Sequence, residues 1–73
     1  MRRVCYKKLW KILIDKELNK TELAKVANVS GSTITRLAKD ETVHLESLIK
    51  ICDVLDCELQ DILEVLPKNN IDV

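Results

Sequence analysis

The sequence predicts an all-α fold, and three observations predict it. Apolar residues recur at spacings of three and four along much of the chain, the period of one helix face. Only one Gly and one Pro occur among 73 residues, which disfavours a multi-stranded sheet with tight hairpins and excludes collagen-like or low-complexity classes. Hydrophobic residues make up 47% and charged residues 33%, a globular rather than a disordered balance. A chain this short forms one domain and buries only about 60% of its unfolded surface.

Residues 1–5 alternate weakly and lack a cap, so an extended arm or edge strand is expected there. A first helix is expected over residues 6–18. Leu9, Ile12, Leu13 and Lys16 set its period, Trp10 and Ile14 add a flank, and Lys7, Lys8, Lys11 and Asp15 fall largely outside the apolar face. Asn19 and Lys20 break the pattern. Asn19 or Thr21 caps a short second helix, about 21–27, with Glu22 near its positive end. Leu23, Ala24 and Ala27 give it a compact face. A tight connection through Asn28 and Val29 leads to a third helix, 31–39, capped by Ser30. Ile34, Leu37 and Ala38 point to the core, while Ser32, Thr35, Arg36 and Lys39 cluster opposite without a single acid.

Residues 40–44 form a loop, and His44 stands at the cap position of a fourth helix, about 45–55. Leu45, Leu48, Ile49, Cys52 and Leu55 fit its core face. A last helix is expected over about 58–65, with Leu59, Ile62, Leu63 and Leu66 buried, and Pro67 stops it. The expected divisions are therefore an arm (1–5), a helical domain (6–66) and a tail (67–73), in which Ile71 and Val73 are candidates to pair with the arm.

The net charge of zero hides an asymmetry. Residues 1–39 hold ten Lys or Arg against three acids, and residues 40–73 hold two Lys against nine acids. The first half suits a polyanion, and the second half cannot share that contact. The longest uninterrupted apolar run is Ile12-Leu13-Ile14, too short to span a membrane. The basic N-terminus is followed by no apolar signal core, so no secretory signal is expected. Cys5, Cys52 and Cys57 are an odd set and read as reduced thiols in a cytosol.

The run from Thr21 to Leu37 has the layout of a helix-turn-helix. Ala24 lets two helices approach closely, Val29 plugs the turn, and Ile34 with Leu37 pins the second helix to the core. Its outer face is then free to enter a groove about 12 Å wide. Arg36 is the foremost candidate there, because a guanidinium can bond guanine O6 and N7 together.

Leu23-Ala24, Val29-Ser30, Ile34 and Leu37, followed by the run from Leu55 to Glu64, resemble the lambda-repressor/Cro type of helix-turn-helix domain. The Tyr-Lys-Lys-Leu-Trp segment (6–10) and the Ile-Cys-x-x-Leu-x-Cys-x-x-x-Asp-Ile-Leu-Glu run (51–64) are similar to the short single-domain bacterial regulators of that superfamily. The resemblance covers roughly residues 6–66. It implies a five-helix domain that binds double-stranded DNA through its second and third helices. By position it assigns base contacts to Gly31, Ser32, Thr35 and Arg36. Lys20, Thr21, Lys25, Thr33, Lys39, Thr42 and His44 become phosphate contacts. Gly31 departs from the pattern, since it has no side chain to read a base. Lys20 stands where the family often has a Gln, and adds a full charge. Lys7, Lys8 and Lys11 join the backbone contacts if the first helix edges the site.

Other chemistries find little support in the residues. Zinc would require Cys5, Cys52, Cys57 and His44 to converge, with only the looser Cys52-x₄-Cys57 spacing as a Cys pair. No nucleophile–base pair or phosphate-cradling loop is visible, so no enzyme, cofactor or metal is expected. Cys52 and Cys57 read as small core residues. The expected protein is a transcriptional regulator, a repressor, acting as a cytoplasmic, nucleoid-associated homodimer. Its rival is an antitoxin or adaptor of the same fold that holds a small protein on its acidic helices.

Overall fold

The computed structural model describes residues 2–67. Four α-helices, a single 3-10 turn and a two-stranded sheet make up the domain: β1 (Val4–Cys5), α1 (Lys7–Asp15), α2 (Lys20–Ala27), α3 (Gly31–Ala38), α4 (Leu45–Leu55), the turn Leu59–Asp61, and β2 (Glu64–Val65). Tyr6, Leu9, Leu13, Leu23, Ala27, Ile34, Leu37, Leu48, Ile51, Leu55 and Ile62 form one buried core. α2 packs against both α3 and α4. Among the described residues no buried side-chain N or O lacks a hydrogen-bond partner. No helix among them is long and apolar enough to cross a membrane.

Local chemistry sets the helix boundaries. Asn19 Oδ1 accepts the Glu22 N–H at 2.7 Å, and Glu22 Oε1 accepts the Asn19 N–H at 3.0 Å, a reciprocal capping box that starts α2. Ser30 Oγ accepts the Thr33 N–H at 3.2 Å and starts α3. The helices end on left-handed residues, Glu17, Asn28, Asp40 and Asp56, with φ between 53 and 57°. Past α1, the Glu17 N–H reaches the Ile14 carbonyl and the Leu18 N–H reaches the Leu13 carbonyl, the pairing of a Schellman motif. Past α3, the Asp40 N–H reaches the Leu37 carbonyl and the Glu41 N–H reaches the Arg36 carbonyl in the same way. A chain with one Gly thus turns four times on residues that carry side chains, two of them the short Asp whose left-handed cost is lower.

The structure corrects several expectations. The fifth helix does not form, and the fold is mostly helical rather than all-α. Over 58–65 there is one 3-10 turn, closed by Glu58 and Asp61, and then β2. Val4 lies opposite Val65 and Cys5 opposite Glu64 in an antiparallel pair. Leu66, held extended by the Pro that follows it, donates its N–H to the Arg3 carbonyl at 2.8 Å. An eight-residue helix is marginal on its own, and the N-terminal strand offers this segment a ladder instead. The arm therefore finds its partner at Glu64–Val65; Ile71 and Val73 lie outside the described residues.

On α4 the buried stripe is Leu48, Ile51 and Leu55, whereas Leu45 and Ile49 are 57% and 51% exposed. That helix is apolar on several sides, so its period alone does not select a face. Ala38 is exposed, and Leu59 lies at the surface because the helix meant to bury it is absent. His44 occupies the N-cap position of α4, but its side chain makes no capping bond.

Candidate nucleic-acid interface

The N-terminal half of α3 and the loop leading into α4 form one surface. Ser32, Thr33, Arg36, Thr42, Val43 and His44 line a shared open depression of about 380 Å³. Two segments that the sequence keeps apart are thus joined, and no carboxylate lines the depression. Ser32, Arg36, Thr42 and His44 are exposed, and Thr33 is half-buried.

Hydrogen bonding limits what the small residues can offer. Thr35 Oγ1 donates to the Gly31 carbonyl one turn back at 3.0 Å, so its hydroxyl proton is engaged within the helix. Outward it presents a methyl group and acceptor lone pairs. The Thr33 and Ser30 hydroxyls lie 3.1 Å apart, which ties Thr33 to the helix cap. Gly31 is exposed, and a Cβ built on it would meet nothing within 4 Å. The fold itself gives no reason for Gly there.

The loop that closes α3 is clamped from the first helix. The buried Tyr6 donates its hydroxyl to the Glu41 carbonyl at 2.8 Å, and its N–H donates to Asp40 Oδ1 at 3.2 Å. Burial, helped by the nearby Asp40 charge, raises the Tyr6 phenol above its ordinary pKa. Through this clamp the Tyr6 segment fixes the end of α3 and the start of the Thr42–His44 loop.

The remaining expected contacts lie apart from this depression. Lys20 and Thr21 begin α2 and line a shallow apolar cleft with Trp10, Leu13, Ile14, Leu18 and Asn19. The Lys20 ammonium lies over the Trp10 ring, 4.7 Å from its centroid. A cation at a helix N-terminus opposes the helix dipole, and the ring offsets that cost by about 0.5–1 kcal/mol. Lys25 and Lys39 are exposed on the last turn of α2 and just past α3, and neither lines the two clefts. Lys8 lines neither of these clefts; its ammonium donates to the Gln60 carbonyl at 3.4 Å.

Arg2 and Arg3 are the residues whose position the sequence did not disclose. They line a depression together with Val4, Arg36, Asp40, Glu41 and Thr42. Their paired charge was visible in the sequence, but their distance from Arg36 along the chain hid the juxtaposition.

The cysteines do not gather into a site. The Cys57 N–H donates to the Cys52 carbonyl at 3.1 Å, and burial pushes the Cys52 thiol up to about 11 and raises Cys57 as well. Both are free thiols packed against the core. Among the described residues no three His, Cys, Asp or Glu side chains are grouped to hold a metal ion.

Comparison with known proteins bears on this geometry. A solved structure described as the transcriptional regulator VanUg is 48% identical in sequence, with a TM-score of 0.86, and the match covers 92% of this chain and 89% of that one. Comparison with curated proteins returned no match. The model of the Cro/C1-type HTH DNA-binding domain matches residues 8–68. With that match spanning most of the chain, and with α2 and α3 arranged as a helix-turn-helix, the protein belongs to the Cro/C1-type helix-turn-helix DNA-binding family.

Proposed function

We propose that this protein binds double-stranded DNA sequence-specifically, with α3 in the major groove, and acts as a homodimeric bacterial or phage transcriptional repressor associated with the nucleoid. The observation that carries the reading is the single surface that joins Ser32, Thr33 and Arg36 of α3 to Thr42 and His44, without a carboxylate in its lining.

The chemistry follows from the donors present. The Arg36 guanidinium bonds O6 and N7 of one guanine, a pairing that contributes about 1–3 kcal/mol of discrimination. Ser32 makes a short, permissive contact, and Thr35 meets a base through its methyl group. Gly31 lets the backbone of α3 come close to the duplex. Thr33, Thr42 and His44 hold phosphates beside the groove, with Lys20, Thr21, Lys25 and Lys39 as further backbone contacts. Lys20 is ready for this role, since the Trp10 ring holds its ammonium at the start of α2. One domain this small makes few contacts, so two copies reading half-sites about 34 Å apart are expected.

A second reading keeps the fold and assigns the main partner to a protein. Its support is the exposed Leu45 and Ile49 on α4, in the acidic half of the chain.

Fluorescence anisotropy on labelled genomic duplex fragments, across a salt series, tests the first reading with the wild type and Arg36→Ala. Salt-steep binding that weakens and loses sequence preference in the variant supports it. Salt-steep binding unchanged by Arg36→Ala moves the reading face away from α3. An absence of binding at about 50 mM salt, where phosphate contacts are strong, favours the protein-partner reading. Sedimentation velocity of the protein alone and with duplex tests the dimer.

A further inference from the structure

Two depressions on this domain share Arg36 and Thr42. One is the surface assigned above to base and phosphate contacts. The other is completed by the N-terminal arm, through Arg2, Arg3 and Val4, and is also lined by Asp40 and Glu41. The arm is not a loose tail. β1 is paired with β2, Leu66 donates its N–H to the Arg3 carbonyl, and Arg2 Nε donates to the Leu66 carbonyl at 2.9 Å. That last bond engages one of the five guanidinium donors of Arg2 and orients the rest. Arg2 and Arg3 are both exposed. Of those two carboxylates, Asp40 already accepts the Tyr6 N–H. Three guanidiniums therefore share one face with two carboxylates, one of which is engaged by the backbone.

We propose that the β1 arm is a second DNA-contacting element, in which Arg2 and Arg3 hold backbone phosphates beside the base step that Arg36 reads. The inference rests on the DNA-binding reading of α3. It adds a site on a different element, made by residues from the far end of the sequence. The physical case is preorganisation. Strand pairing fixes the arm before DNA arrives, so less chain entropy is lost on binding than for a disordered arm. Arginine suits the task, because its planar fork matches two phosphate oxygens at once. These contacts carry no base information, so they strengthen binding to all sequences alike and orient α3.

The test uses the full chain and a labelled mixed-sequence duplex, read by anisotropy from about 50 to 200 mM salt, the range over which phosphate contacts dominate. The variants are Arg2→Gln/Arg3→Gln, the charge-keeping Arg2→Lys/Arg3→Lys, and the charge-matched control Lys16→Gln/Lys50→Gln. Circular dichroism melts establish that each is folded. The slope of log K against log salt is expected to become shallower by about 0.9 for each phosphate no longer neutralised, about an 8-fold fall in affinity per phosphate at 0.1 M salt relative to 1 M. The Lys pair should keep the slope, and the control should match the wild type. Sequence preference should stay intact in the Gln pair, in contrast to Arg36→Ala. A folded Gln pair with the wild-type slope and affinity overturns the proposal. So does a Lys pair whose slope falls as far as that of the Gln pair, since the effect is then not one of charge. Wild-type protein that binds no duplex overturns the underlying DNA-binding reading, and this proposal with it.

Discussion

Replacing Tyr6 by Phe tests whether the clamp on the end of α3 stabilises the fold as its geometry implies. The ring stays, so the burial of an almost fully covered side chain is kept and only one hydrogen bond is removed. A neutral intramolecular hydrogen bond contributes about 0.5–1.5 kcal/mol net, and stranding a buried partner costs about 1–3 kcal/mol. The bond is only part-buried and Glu41 is an exposed residue, so the lower range applies. We expect a destabilisation of about 1 kcal/mol, which lowers Tm by about 4–8 °C in a domain of this size. The pH dependence adds a second reading of the same bond. Burial first, and the Asp40 charge second, raise the Tyr6 pKa in the folded state. A raised folded pKa means that the contribution is complete below the unfolded phenol value, about 10, and is lost as pH rises through the folded value. Phe has no such ionisation, while Cys52 and Cys57 titrate in both proteins and cancel in the difference. The stability gap between wild type and Tyr6→Phe, measured by thermal melts, should be full at pH 7 and shrink above about pH 10. Equal stability at pH 7, or a gap that does not shrink at high pH, would refute the reasoning.

Three further outcomes are expected. Asn19→Ala removes the reciprocal cap of α2 and should destabilise the domain by about 1 kcal/mol in urea melts, whereas Asn19→Asp should retain most of the stability. Gly31→Ala has open space on the protein side and a better helix former, so it should raise stability by up to about 1 kcal/mol while weakening duplex binding; unchanged affinity would show that nothing approaches the α3 backbone there. With its pKa pushed up to about 11, the Cys52 thiol should react with iodoacetamide at pH 8 far more slowly than a small free thiol, and so should Cys57. Mass spectrometry of the alkylated protein over time checks this, and rapid labelling of either residue in the native state would contradict it.

Much of the candidate site was legible because its causes are local. Asn19 and Ser30 declare their helices by bonds to residues three positions on, and the core stripe of α3 follows from Ile34 and Leu37. The exposed side of α3 followed by subtraction. His44 holds the N-cap position the sequence gives it, but a residue can hold the backbone position of a cap without its side chain making the bond. On α4 the expected Leu48, Cys52 and Leu55 do pack into the core, whereas Leu45 and Ile49 are exposed and Ile51 is buried, because the helix carries apolar residues on more than one side. Packing against α2 selects among those sides, and no helical period records such packing.

The sequence by itself determined the four α-helices, their order and the helix-turn-helix at their centre, because capping bonds and one-turn periodicity act within a few residues. Tertiary structure alone decided the fate of residues 58–65, the alignment of the arm with Arg36, and the joining of Thr42 and His44 to α3. These outcomes depend on interactions between residues far apart in the chain. Ladder bonds from β1 compete with a marginal helix, and the Tyr6 clamp fixes a loop more than thirty positions away. Local propensity cannot weigh such terms, since their strength exists only once the core has brought the two ends of the chain together.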